Sequence, residues 1–284
     1  MNTRWLFIFI AFTGVTIAAL MRAPSIPDVP IPDDQDSIER GRYLVNAGGC
    51  ISCHEDDSGG LSGGMPIESP FGIFYASNIT PDPETGIGGW QGSEFLLALK
   101  HGRTPGGSYY FPAFPYRSYA GVTDDDVLAI AAYLMSLEPV VAQRPAHELP
   151  GWVARWQMGG WNLLAGMAEA EPESYGDPVI ARGAYLTHSL GHCGECHTPR
   201  NALGISQQDR AFTGADMPDG HVDAIDAEAL ANWSQEDLAL FLFIGLKSDG
   251  EYVGGKMEPV IEHNTSQLTD EDRLAMAAFL KHPR

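Results

Sequence analysis

The chain has 284 residues, 44% of them hydrophobic, so it is long enough to build one large domain or two ordinary ones. Its 17 lysines and arginines stand against 37 aspartates and glutamates, which gives a formal net charge of -20. This charge disfavours binding to nucleic acid or, through charge, to an anionic membrane surface, and it suits a basic partner.

The first 23 residues differ from the rest of the chain. Arg4 precedes a 17-residue, mainly apolar run, Trp5–Met21, and Arg22 follows it. The run is near the lower limit for a membrane-spanning helix, and it also matches the apolar part of a secretion signal. We predict a signal-anchor helix at 1–23 that holds the protein on the periplasmic face of the inner membrane. A cleaved signal peptide, which would leave a periplasmic protein, is the alternative.

Residues 24–36 contain four prolines and four aspartates. Proline holds a chain extended and clustered like charges repel each other, so this segment is predicted to be an extended, solvated spacer.

The remaining sequence is an internal repeat. The motif CISCH at 50–54 recurs 143 residues later as CGECH at 193–197, and the same offset relates Trp90 to Trp233. Such self-similarity indicates two homologous domains in tandem, which we place at 37–140 and 177–284.

Each copy is predicted to contain the same helices: one before the CxxCH motif, one after the tryptophan, and one that opens with a Thr-x-x-Asp capping signal. In chain order these helices are Ile38–Ala47, Ser93–Lys100 and Val127–Leu137, then Val179–Leu190, Gln235–Ile244 and Arg273–Lys281. Residues 141–176, which contain three tryptophans, are predicted to form a helical bridge between the copies. Strand signals are weak, so the expected fold class is mostly α.

All four cysteines of the chain lie in the two CxxCH motifs. Two thiols three residues apart can add to the two vinyl groups of one haem, and the adjacent histidine then coordinates the iron. The sequence therefore predicts two covalently attached haem c groups, held by Cys50, Cys53 and His54 and by Cys193, Cys196 and His197.

Other interpretations of the cysteines explain less. A thioredoxin-like motif needs a βαβ context, which the pattern lacks. One Cys₄ zinc site would leave both histidines unexplained. Two disulfides are chemically possible in an exported chain, but they also give the histidines no role.

The second iron has a candidate for its other axial ligand. Met257 lies in a glycine-rich loop, GGKMEP at 254–259, between two predicted helices. A thioether ligand raises the reduction potential of a haem, and we predict that Met257 is this ligand. The alternative is a methionine that fills a gap in the core.

The first iron lacks an equivalent ligand, because the 143-residue offset maps Met257 onto Phe114, which cannot bind iron. His101, at the end of the helix after Trp90, is the leading substitute. An open or water-bound iron is the second possibility, and a different side chain is the third, with Met65 ahead of Tyr109 and Tyr110. The histidines without a motif or repeat partner are assigned to surface or supporting positions: His147, His188, His192, His221, His263 and His282.

At these residues the chain resembles a known family. The segments SPFG at 69–72, NITPDPETGIG at 78–88, YFPAFPY at 110–116 and GHCGECHTPRNAL at 191–203 are similar to those of class I cytochromes c. The resemblance is greatest to the cytochrome c subunits of membrane-bound alcohol and gluconate dehydrogenases. It implies helical cytochrome c domains, with ligation by His54, His197 and Met257. Together with the repeat and the apolar run, the expected fold is two tandem class I cytochrome c domains after an N-terminal membrane anchor.

The resemblance also implies a function: electrons pass from a periplasmic dehydrogenase towards a quinone or an oxidase. Two features depart from the family. Those subunits typically carry three haems and have methionine where Phe114 stands, whereas this chain has two CxxCH motifs. The competing hypothesis is a haem enzyme whose open first iron acts on peroxide or a sulfur compound.

Overall fold

The computed structural model describes residues 24–168, 174–217 and 220–283, and the chain in these ranges is mostly α-helical. The predicted signal-anchor at 1–23 lies outside the described residues. Within them, no helix combines the length and the apolar character needed to cross a membrane. The predicted spacer has no regular secondary structure before Asp34, and it is not fully solvated, because Ile26, Val29 and Ile31 pack against the first core.

The first half of the chain contains helices α1 to α5 and one hairpin. In chain order they are α1 (Gln35–Ala47), α2 (Ile51–His54), β1 (Pro66–Ser69), β2 (Gly72–Tyr75), α3 (Gly92–His101), α4 (Tyr116–Tyr119) and α5 (Asp124–Met135). Side-chain caps start the two long packing helices. The Asp34 carboxylate accepts the backbone N–H of Ser37 at 2.9 Å, and the Thr123 hydroxyl accepts that of Asp126 at 3.2 Å.

A bridge containing α6 (Met158–Met167) leads to the second half, which repeats this order of elements. The second half consists of α7 (Pro178–Ala184), α8 (Gly194–His197), β3 (Ala215–Met217), β4 (Gly220–Val222), α9 (Gln235–Ile244), α10 (Met257–His263) and α11 (Asp270–Leu280). The helix predicted from 179 to 190 is α-helical up to Ala184 and then continues as a π-helical turn, Tyr185–Leu190. Each of the predicted long helices is present, but the two hairpins were not predicted.

Two glycines allow the same close helix crossing in both halves. Helix α1 packs on α5, and α7 packs on α11. A Cβ atom on Gly41 would lie 1.9 Å from the carbonyl oxygen of Ala129, and one on Gly183 would lie 1.9 Å from that of Ala275. Only glycine permits backbones to approach so closely, so the sequence repeat corresponds to a repeated packing geometry.

The halves share apolar core. Leu186 and Leu190 of the second half are almost fully buried and belong to the same cluster as Leu44 and Val45 of α1. A smaller cluster around Phe212 and other side chains lies within the second half. Burial of apolar side chains drives association of packed elements, so the junction between the halves is part of the fold's core.

At the junction, a tyrosine of each half donates a hydrogen bond to an aspartate of the other half. Arg40 binds Asp126 of its own half at 2.6 Å, and the Tyr185 hydroxyl of the second half donates to the same carboxylate. In the equivalent arrangement, Arg182 binds Asp272 at 2.6 Å and the Tyr43 hydroxyl of the first half donates to it at 2.6 Å.

The hydrogen-bond partners of the Asp272 carboxylate favour its charged form. Burial acts to raise the pKa of Asp272, but the hydrogen bonds from Arg182 and Tyr43 outweigh it and hold that pKa below its usual value. The Tyr43 oxygen also accepts the backbone N–H of Thr269, the capping residue of α11. Each half thus completes the helix start of the other.

Tyr43→Phe is expected to lower the free energy of unfolding by about 1 kcal/mol, because it removes one hydrogen bond to a partly buried carboxylate. Tyr185→Phe removes the equivalent bond and should have a similar effect. Urea denaturation measures both, with Tyr252→Phe as the control, since Tyr252 is 68% exposed. Equal stability of all three variants and the parent would show that the exchanged contacts do not hold the halves together.

Candidate functional site

Both CxxCH motifs form a short helix that directly follows a sharp turn. The preceding helical segments end at Gly48 and Gly191, and α2 and α8 then begin one residue after Cys50 and Cys193. In each half, one residue stands between this glycine and the cysteine, and it has a positive φ angle. The residue is Gly49 in the first half, at +65°, and its counterpart His192 in the second, at +41°. This turn presents the thiols and the histidine of each motif on one short helix.

The cysteines of these turns are held in the protonated, unpaired state. Burial raises the pKa of Cys50 and of Cys193 to about 12, so both are neutral thiols at physiological pH. Burial, and then the nearby Cys196, also raises the pKa of Cys53. No disulfide bond joins the four cysteines, all of which lie in the described part of the chain.

The two motif histidines are oriented in the same way. His54 Nδ1 lies 2.7 Å from the carbonyl oxygen of Ser77, and His197 Nδ1 lies 2.7 Å from that of Asp223. A carbonyl only accepts, so Nδ1 carries the proton and Nε2 keeps its lone pair. Burial lowers the pKa of both histidines, which favours the neutral form that binds metals. These two residues fit the role of iron ligands, and the carbonyls fit the role of orienting partners.

The apolar surroundings also fit a large, flat cofactor. On α9, which precedes Met257, the side chains of Phe243 and Ile244 are 45% and 40% exposed. The Phe243 ring packs under the Arg273 guanidinium, 4.4 Å from ring centroid to Cζ, and Phe243 and Ile244 remain partly open to a ligand. The equivalent positions at the end of α3 are Lys100 and His101, so the two halves differ on this side.

Met257 is the first residue of α10 and is partly buried. The glycine-rich loop before it is short, and α10 packs on α9. Met257 thus starts a helix that contacts α9, and its ligation of the second iron remains a prediction.

Phe114, the counterpart of Met257, is surrounded by aromatic rings. Its ring centroid lies 5.4 Å from that of Tyr110, 6.3 Å from that of Tyr116 and 5.7 Å from that of Tyr119. It packs against the core cluster against which Cys50 also packs. The first half therefore has an aromatic cluster where the second half has Met257.

His101 is exposed and lies at the end of α3. It lines a cavity of about 300 Å³ together with Lys100, Arg103 and Asn162, among others. Burial and the positive charge of Lys100 lower the pKa of His101. Its ligation of the first iron remains a prediction.

The other candidates for the first iron have different surroundings. Met65 is 37% exposed and precedes β1, and Tyr109 lies beneath the Arg103 guanidinium, 3.3 Å from ring centroid to Cζ. The Tyr110 ring contacts that of Phe114.

These features define a c-type cytochrome: a mostly helical chain in which CxxCH turns present two thiols and an oriented histidine. A family model for cytochrome c matches residues 38–138. Together with the chain's similar relatives, this match shows that the chain belongs to the cytochrome c family, which implies covalently bound haem c and electron transfer.

The chain is 44% identical over 250 residues to a diheme cytochrome c-type protein of Cereibacter sphaeroides, covering 85% of this chain and 84% of the relative. It is 38% identical over 273 residues to the gluconate 2-dehydrogenase cytochrome c subunit of Pantoea cypripedii, covering 88% of this chain and 61% of the relative. It is 35% identical over 266 residues to the alcohol dehydrogenase (quinone) cytochrome c subunit of Gluconobacter oxydans, covering 87% and 55%. The chain thus spans 55% to 61% of those two dehydrogenase subunits. The family resemblance inferred from the sequence is confirmed.

Proposed function

We propose that the chain is a dihaem electron carrier built from two tandem cytochrome c domains, 37–140 and 177–284, each holding one covalent haem c. The observation that carries this proposal is that the two motif histidines are oriented by the same kind of hydrogen bond. His54 and His197 each place Nδ1 2.7 Å from a backbone carbonyl, as an iron ligand requires. The haem supplies the one-electron chemistry, whereas the chain attaches, orients and buries it.

The proposal extends to the partners. We infer that the electrons come from a dehydrogenase on the periplasmic side of the inner membrane and go to a quinone or an oxidase. The gluconate and alcohol dehydrogenase relatives support this inference by their names, and the net charge of -20 suits a basic docking surface. The apolar run Trp5–Met21 would tether the carrier to that membrane.

A second function is favoured by one observation, the aromatic cluster at Phe114. A first iron without a second protein ligand could bind a small molecule such as peroxide or a sulfur compound. Carbon monoxide distinguishes the two functions, since rapid binding to one haem of the reduced protein supports the enzyme. A low-spin ferric signal that becomes high-spin in His101→Ala supports the carrier, with His101 as ligand.

The haem-to-protein ratio tests the main proposal. The purified full chain is expected to contain two haems, and the double variant Cys193→Ser with Cys196→Ser is expected to contain one, because thioether attachment needs the thiols. A pyridine haemochrome assay gives the ratio. Ser52→Ala, a change inside the first motif that leaves its thiols and histidine intact, is the control and should retain two haems. An unchanged ratio in the double variant would contradict the assignment of the second site.

A further inference from the structure

The two CxxCH turns meet back to back at the junction of the halves. A Cβ atom on Gly48, two residues before Cys50, would lie 3.5 Å from Cδ1 of Leu190. A Cβ atom on Gly191, two residues before Cys193, would lie 3.7 Å from the carbonyl oxygen of Ala47. The turns that lead into the two motifs therefore lie next to each other.

Hydrogen bonds fix the two turns on either side of this contact. The Ser118 hydroxyl of the first half donates to Glu195, inside the second motif, at 2.7 Å. The Ser52 hydroxyl, inside the first motif, donates to Asn264 of the second half at 3.2 Å. Ser118 and Asn264 occupy matching places, each five residues before the threonine that caps α5 or α11. These contacts give the junction approximate two-fold symmetry.

The symmetry is broken at His192. Its counterpart is Gly49, and both have positive φ, a conformation that residues other than glycine rarely adopt. A strained residue of this kind persists when its surroundings hold it, and such residues gather at functional sites. The sequence assigned His192 to a surface or supporting position, whereas the structure places it between the two motifs.

His192 is held by Tyr119 of the other half. The two rings are 5.4 Å apart between centroids and meet edge to face at 78°. Tyr119 is buried and donates its hydroxyl proton to the Gly48 carbonyl at 2.6 Å. The His192 ring also lies beside Gly49, because a Cβ atom on Gly49 would be 3.4 Å from His192 Nε2. A continuous set of contacts therefore joins Cys193, through the adjacent His192, to Gly48 and the turn that carries Cys50.

We propose that the His192–Tyr119 contact is the route by which an electron crosses between the two haems. This inference rests on the proposed dihaem function. In the transfer one iron is oxidised from ferrous to ferric and the other is reduced from ferric to ferrous, and no bond forms or breaks and no proton moves. Electron tunnelling is faster through packed and bonded atoms than across a gap, and here two rings and one hydrogen bond fill the space between the motifs.

The asymmetry gives the test its control. His192→Gly restores the residue that the repeat has at Gly49, suits the positive φ and removes only the ring. We expect electron equilibration between the haems, followed after pulsed reduction of the fully ferric chain, to slow several-fold in this variant. Tyr119→Phe keeps its ring and should slow it less. Tyr252→Phe, at a residue that is 68% exposed and outside both motifs, should leave the rate unchanged.

The haem content and the two reduction potentials are measured in every variant, so that a changed driving force is not mistaken for a changed route. His192→Asn, which tolerates positive φ but lacks the imidazole, replaces His192→Gly if that variant loses a haem. An unchanged rate in a two-haem His192 variant overturns the inference and leaves the dihaem carrier intact. A parent chain with fewer than two haems, or without transfer between them, overturns the proposed function itself.

Discussion

Gly183→Ala is expected to lower the free energy of unfolding by roughly 3 kcal/mol, the upper part of the range for overpacked cores. The new Cβ atom would lie 1.9 Å from the carbonyl oxygen of Ala275 and 2.7 Å from Cβ of Phe279. Neither atom is the end of a flexible side chain, so α7 and α11 must move apart. Thermal or urea denaturation of the haem-loaded protein measures the loss.

The chain provides both a replicate and a control for this prediction. Gly41→Ala meets the same obstacle, 1.9 Å from the carbonyl oxygen of Ala129, and should be about as harmful. A Cβ atom on Gly160, in α6, would meet no atom within 4 Å beyond the backbone of its own helix. Gly160→Ala should therefore be neutral or stabilise by up to about 1 kcal/mol. If Gly183→Ala were as stable as Gly160→Ala, the repeated close crossing would not be a feature of the molecule.

Met257→Ala is expected to lower the reduction potential of one haem and leave that of the other in place. A thioether ligand stabilises the ferrous state, so its loss shifts the equilibrium towards ferric iron. A spectroelectrochemical titration of the full chain resolves the two potentials. Met167→Ala is the matched control, since Met167 is 79% exposed on α6 and remote from both motifs in sequence.

The converse change is Phe114→Met, which gives the first half the residue found at the equivalent place in the second. We expect Phe114→Met to raise the reduction potential of the first haem, because it offers the first iron a sulfur ligand in place of the aromatic cluster. Two potentials that stay fixed in Met257→Ala would show that this methionine is a core residue.

The local signals of the sequence predicted the helices because the physics there is local. Thr123 and Thr269 each accept the N–H three residues on, so α5 and α11 begin next to them, somewhat earlier than the apolar pattern alone indicated. The CxxCH motifs predicted haem attachment because the two thiols and the histidine that it needs are close in sequence.

The features that the sequence did not predict depend on contacts distant in the chain or on the backbone. The carbonyls that orient His54 and His197 belong to Ser77 and Asp223, 23 and 26 residues further on, and any residue type supplies a carbonyl. His192 had no recognised motif because its counterpart is a glycine. A signal was nevertheless present, because the repeat aligns His192 with Gly49. A histidine aligned with a glycine indicates a backbone position with positive φ, which both residues have.

The exchanged tyrosines have a consequence for the origin of the arrangement. Because Tyr43 reaches Asp272 and Tyr185 reaches Asp126, the same surface is used on both sides, as in an isologous dimer. One repeat alone could satisfy these contacts only by pairing with a second copy of itself. A homodimer must carry identical residues on both sides of its axis, whereas a covalently joined pair is free to differ. The joined chain can thus keep a glycine on one side and place a histidine on the other, an asymmetry that a homodimer could not encode.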